Sequence, residues 1–183
     1  MGIDKAWLVL GDEPLVGRAV RRASAQAAPL VLSANRDLGR FAELGPAVVR
    51  DGAGLTGPLA GILSAMAWLR AGSDAADRIV SFACDTPFFP QDLVARLSAA
   101  LRPRTIVVAA SAGRLHPAFA LWPTALEGDL RACFEGELVP SLHRALERFG
   151  FEAVDFPAQP IDPFFNINTP ADLEDARRLV AGW

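Results

Sequence analysis

Asp85 is the side chain with the most chemistry to offer. It stands in Cys84-Asp85-Thr86-Pro87, directly after the strand-like run Ile79–Ala83, and no lysine or arginine lies within five positions of it. A carboxylate in that setting needs water, a cation or a partner from far along the chain. Mg2+, which prefers hard oxygen ligands and is commonly held by one or two carboxylates together with substrate phosphates, is one solution. An aspartate that only closes a turn or caps a helix is the other. Three further groups are placed in the same way: Ser33-Ala34-Asn35-Arg36, Asp51, and Asn166-Ile167-Asn168-Thr169-Pro170. Asn35 and Asp51 can each hydrogen-bond a ribose hydroxyl or a base edge, and both are also residue types that end strands in turns. Gly57-Pro58-Leu59-Ala60-Gly61 offers either a helix start open to close approach by a ligand or an ordinary turn.

Covalent chemistry finds less support. The two histidines, His116 and His143, enter no Ser/His/Asp pattern and no metal-ligand spacing; His143 is expected on a helix surface, and His116 either faces the cleft or is structural. Cys84 lacks a nearby base and reads as an inert thiol. Cys84 and Cys133 match neither a zinc site nor a disulfide framework, so both are expected to be reduced.

A scaffold that gathers strand ends is therefore required. In open α/β sheets ligands bind at the carboxyl ends of strands, and the chain has the matching rhythm of short apolar runs between helical segments. Strands are expected at Ala6–Leu10, Leu30–Ser33, Ala47–Arg50, Ile79–Ala83, Thr105–Ala110, Leu115–Leu121 and Phe151–Phe156. Helices are expected from Pro14 to about Gln26, then over Leu38–Leu44, Pro58–Arg70, Pro90–Leu101, Pro123–Phe134 and Leu138–Phe149, with a last one opening at Thr169-Pro170-Ala171-Asp172. The Ser111–Arg114 link is too short for a crossover helix, so the strands around it are expected to pair antiparallel. The fold class is α/β.

Length and charge set outer bounds. One hundred and eighty-three residues suit a single domain, and 51% apolar residues, 21% charged residues and a net charge of −3 describe a compact chain with no basic cluster for nucleic-acid phosphates. No apolar stretch approaches the roughly 20 residues that span a bilayer, and no leader pattern opens the chain. A cytoplasmic monomer is expected.

Taken together and in order, Asp4-Lys5, Asn35-Arg36, Asp51, Gly57–Gly61, Cys84–Pro87, His116-Pro117 and Asn166–Pro170 resemble the molybdenum cofactor guanylyltransferase family over nearly the whole length. The resemblance implies a Rossmann-like, three-layer nucleotidyltransferase fold of the GT-A type, with a mostly parallel sheet flanked by helices. It implies transfer of GMP from Mg-GTP to the molybdopterin of the molybdenum cofactor, with release of pyrophosphate. Lys5 matches the lysine near the GTP phosphates, Asn35, Asp51 and Gly57 match nucleotide-binding positions, and Asp85 matches the Mg2+ carboxylate. Asn166 and Asn168 match a motif on the pterin side. Implied partners are GTP, molybdopterin, and chaperones or cofactor-insertion proteins of molybdoenzymes. The alternatives are cytidylyl transfer to the same pterin, and a non-catalytic relative that binds cofactor or docks a chaperone.

Family members open with a strand and a Leu-Ala-Gly-Gly loop ahead of the Met-Gly-x-Asp-Lys that is here Met1–Lys5. The expectation is a domain over residues 1–183 whose first strand and glycine-rich loop are incomplete. A missing strand with about five net ladder hydrogen bonds, at roughly 1 kcal/mol each, costs on the order of 5 kcal/mol. Either the natural product is longer, or the chain folds with Ala6–Leu10 in the vacated place and binds GTP poorly or not at all. Glu13 is a smaller departure, since relatives often carry a cation there.

Overall fold

The computed structural model describes residues 5–72, 76–134 and 141–181. Asp4, and residues 138–140 of the expected helix Leu138–Phe149, lie outside them. A 3-10 turn over Lys5–Trp7 leads to a small hairpin of β1 (Val9–Leu10) and β2 (Glu13–Pro14), then α1 (Leu15–Ser24), β3 (Val31–Ser33), α2 (Leu38–Ala42) and β4 (Ala47–Val49). There follow α3 (Pro58–Ala71), β5 (Arg78–Ser81), α4 (Leu93–Ala99), β6 (Ile106–Ser111) and β7 (Arg114–Pro123). The chain ends with α5 (Glu127–Ala132), α6 (Leu142–Phe149), β8 (Phe151–Phe156) and α7 (Pro170–Ala181).

A four-stranded sheet of order β5-β7-β6-β8 forms the centre. The β6 and β7 strands pair antiparallel across a two-residue turn in which Ala112 and Gly113 both have positive φ, the geometry that suits a tight hairpin. Strand β8 adds parallel to β6 over six residue pairs, from Ile106↔Phe151 to Ser111↔Phe156. Since β7 is antiparallel to both neighbours, β5, β6 and β8 run the same way and bring their carboxyl ends to one edge. Three of its four strands share a direction, but β7 stands between β5 and β6 and makes two of the three pairings antiparallel, so the sheet is mixed where a mostly parallel one was expected.

Every residue of β6 is buried, and its alternation builds two cores. Ile106 and Val108 pack with α3, α5 and α6, where Trp122 is fully buried and gives its indole N–H to Ser81 Oγ at 3.0 Å. Val107 and Ala109 pack on the opposite face with α1 and α4. Helices on both faces of one sheet make the three layers.

Strands β3 and β4 pair parallel with each other, apart from this sheet. Among the described residues strands β3 and β5 each have one partner, and both line a cleft of about 920 Å³ walled by apolar residues of α1 and α3. The alternative in which Ala6–Leu10 fills such a place is not what forms. Gly11, at φ 69°, turns the chain back so that Val9–Leu10 pairs with Glu13–Pro14 instead. Among the described residues no helix is long and apolar enough to cross a membrane.

Candidate functional site

The polar end of the cleft lies where β3 and β5 finish. Ser33, Asn35, Asp51, Gly57, Asp85 and Asn166 all line it, so five of the seven residues singled out from sequence share one cavity. The other two adjoin it: Lys5 donates to Asn168 Oδ1 at 2.6 Å, and its charge acts on Asp85. Lys5 is the distant partner that the local sequence around Asp85 lacked.

Asp85 is held from two sides. Its carbonyl accepts from Ile167 N at 2.8 Å, which pins the Asn166–Asn168 segment to the end of β5. Burial pushes its carboxyl up from the usual range, and its own backbone N–H, Lys5, and the side chains of Asn166 and Thr86 pull the other way. A carboxylate that has lost more water than its neighbours replace is one a cation would stabilise. Beyond Pro87, the Arg22 guanidinium donates to the carbonyls of Phe88 and Phe89 and sits over the Phe89 ring, so α1 anchors the loop that follows Asp85.

Asn35 and Asp51 hold each other. Asn35 Nδ2 donates to Asp51 Oδ2 at 2.8 Å, Asp51 N donates to Asn35 Oδ1 at 3.0 Å, and Ser33 Oγ donates to Asp51 Oδ1 at 3.1 Å. Each carboxylate oxygen of Asp51 thus accepts one protein hydrogen bond and keeps a lone pair for a ligand donor. Ser33 had been visible only as one of a polar group. Its place depends on Gly61, where an added Cβ would lie 3.0 Å from Ser33 Oγ and 3.2 Å from Ser33 Cβ. Gly57 acts differently: its φ of 86° with ψ of −179° starts α3 in an extended positive-φ conformation that favours glycine, with Pro58 in the first turn.

The Thr169–Asp172 boundary forms a reciprocal cap. Asp172 Oδ2 accepts from Asn168 N at 2.8 Å and Thr169 N at 2.7 Å, and Thr169 Oγ1 accepts from Asp172 N at 3.2 Å. The backbone N–H groups of Asn168 and Thr169 hold the Asp172 carboxyl below its ordinary range. Glu13 pairs with Arg18 and Arg21, so its charge is answered locally.

One constellation escaped the sequence. Ser111 Oγ lies 2.7 Å from His116 Nε2 and donates to Asp162 Oδ1 at 2.8 Å, although no Ser/His/Asp pattern is readable along the chain. Serine is central in this arrangement, with its hydrogen committed to the carboxylate, so it is not set up as a nucleophile activated by the imidazole. Among the described residues no three His, Cys, Asp or Glu side chains cluster to hold a metal.

Residues 1–152 match the family model of the MobA-like NTP transferase domain. The chain is 43% identical over 183 residues to a molybdenum cofactor guanylyltransferase of Bradyrhizobium sp. strain ORS 278, covering 98% of this chain and 86% of that one. It is 44% identical over 185 residues to the enzyme of the same description from Mesorhizobium japonicum, covering 98% and 88%. In structure it resembles molybdopterin-guanine dinucleotide biosynthesis protein A of Archaeoglobus fulgidus, with a TM-score of 0.71 at 22% identity over 100% of this chain and 93% of that one.

Proposed function

The chain belongs to the molybdenum cofactor guanylyltransferases, within the MobA-like NTP transferases, and from that premise we propose that it transfers GMP from GTP to molybdopterin. The product is molybdopterin guanine dinucleotide. A phosphate oxygen of the acceptor forms the new bond to the α-phosphorus, the bond to the bridging oxygen breaks, and pyrophosphate leaves. Such in-line chemistry asks the protein for positioning and charge neutralisation, with no covalent intermediate.

The observation that carries this reading is the gathering of Asn35, Asp51, Gly57, Asp85 and Asn166 on one cleft, with Lys5 and Asn168 joined beside Asp85. Asn35 and Asp51 hold the nucleoside, since their mutual hydrogen bonds fix both groups before ligand arrives. The opening of α3 at Gly57 lets the nucleotide approach closely. Lys5 faces the phosphates. Asn166 and Asn168 bear on the pterin side while hydrogen-bonding Asp85 and Lys5, so the same residues couple the acceptor to the charged centre.

Asp85 suits Mg2+ because it is a half-buried hard-oxygen donor whose burial penalises its own charge. It is one carboxylate without a cluster, so phosphate oxygens would complete the coordination. Bound there, Mg2+ would offset charge on the triphosphate and its leaving group. The protein acts as a single domain in the cytoplasm, passing its product to proteins that insert the cofactor.

The test supplies the 183-residue protein with molybdopterin, Mg2+ and labelled GTP or CTP. Incorporation from GTP is expected, and Asp85→Asn should lower it about a hundredfold or more at unchanged Tm. Incorporation from CTP alone, or full activity in Asp85→Asn, would overturn the reading.

A further inference from the structure

The Ser111–His116–Asp162 chain of hydrogen bonds has a fixed polarity. Asp162 Oδ1 already accepts from Phe164 N at 2.9 Å and from Ser111 Oγ at 2.8 Å. Ser111 has one hydroxyl hydrogen, and it points to Asp162; the contact with His116 at 2.7 Å must then be made by a hydrogen on Nε2. In a neutral imidazole with Nε2 protonated, Nδ1 is a bare acceptor. Burial lowers the His116 pKa and favours that neutral form, with Arg114 of β7 adding to the effect and Asp162 opposing it.

The location adjoins the cleft without lining it. Ser111 is fully buried at the carboxyl end of β6, while His116 is partly open to solvent. The imidazole stacks on Phe164, with centroids 4.4 Å apart and planes at 20°. Phe164 lies two residues before Asn166, and Asn166 and Ala118 both line the cleft. A purely structural tie between β6 and the 162–168 segment would need only Ser111 and Asp162, and the imidazole adds a tautomer-locked acceptor to it.

Building on the guanylyl-transfer reading, we propose that His116 is a binding residue for the acceptor, its Nδ1 accepting a hydrogen bond from an N–H of the pterin heterocycle, and that Ser111 and Asp162 are positioning residues that lock its tautomer. Loss of one such hydrogen bond weakens binding about five- to tenfold.

The experiment measures molybdopterin binding to the full chain without nucleotide, beside KM values for GTP and acceptor. His116→Phe keeps a ring on Phe164 and removes the acceptor, so acceptor affinity should fall about tenfold with the KM for GTP unchanged. His116→Asn returns an oxygen near the Nδ1 position and should recover most of the affinity. In the unmodified protein acceptor affinity should fall as pH drops through the His116 titration, a dependence absent from His116→Asn. Equal acceptor affinity in His116→Phe and the unmodified protein, or equal losses for GTP and acceptor, would overturn the proposal. Pterin binding reads His116 without turnover, so failure of guanylyl transfer from GTP would count against the reaction alone.

Discussion

Two glycines of one motif make separable predictions at the scale of single residues. Gly57 meets no atom within 4 Å where its Cβ would be, but its φ is 86°. Gly57→Ala should therefore cost backbone strain, about 1–3 kcal/mol, lower the Tm by roughly 2–12 °C, and crowd the nucleotide that approaches there. Gly61→Ala presses on Ser33, whose hydroxyl holds Asp51, so its effect belongs in the site. The KM for GTP should rise about three- to tenfold through a loosened Asp51. Steady-state kinetics and thermal melts on both variants check this, and a Tm loss with unchanged KM in Gly61→Ala would refute the Ser33 linkage. Asn35, Asp51 and Asp85 were legible in the sequence because each follows a strand-like run. The Ser111–Asp162 contact was not, since it spans 51 positions and exists only because β8 pairs with β6. Lys5 was legible by resemblance alone, as nothing in its local sequence tells it where Asn168 will be.

At the scale of elements, α7 is the one whose start the chain spells out, and its cap links stability to pH. Asp172 has a folded pKa below its unfolded value because two backbone N–H groups favour its charged form. Its stabilisation is therefore present above the ordinary aspartate range, about 4, and is lost as pH falls through the depressed folded value. Melting curves between pH 6 and pH 2 should show α7 stability falling at the acid end, and Asp172→Asn should remove that part of the dependence. An identical acid profile in the variant would show that the cap does not titrate as described. A strand near Phe151–Phe156 was legible because Gly150 and Pro157 bracket it. Ala6–Leu10 was misread as one strand: its two ends, Ala6 and Leu10, are buried while Val9 is exposed, and the run forms a 3-10 turn and a two-residue strand. Periodicity reports which side chains are buried, and a short apolar run satisfies more than one backbone shape.

For the molecule as a whole, the cleft between β3 and β5 extends well beyond its polar end. Its polar end holds the site, but the remainder is walled by residues such as Ala19, Ala23, Ile62 and Ala65 from α1 and α3, with Val31, Leu32, Ile79 and Val80 along two strand edges. A parallel strand buried on both faces is a run of apolar side chains, and such a strand would find hydrogen-bonding edges and apolar walls here together. Ala6 and Val16 also line the cleft, so the first described residues lie beside it. Fusing an apolar strand of about six residues and a glycine-rich turn ahead of Met1 should add about five ladder bonds, at roughly 1 kcal/mol each. That corresponds to a Tm rise of roughly 10–20 °C. The turn would also bring backbone N–H groups toward the phosphate position proposed beside Lys5, so the Kd for GTP should fall in the same variant. A fusion of equal length made of glycine and serine is the control, because it adds chain without edge-compatible side chains. Equal Tm values for the two fusions would mean that the apolar walls do not accept a strand. A higher Tm with unaltered GTP affinity would separate completion of the sheet from completion of the nucleotide site.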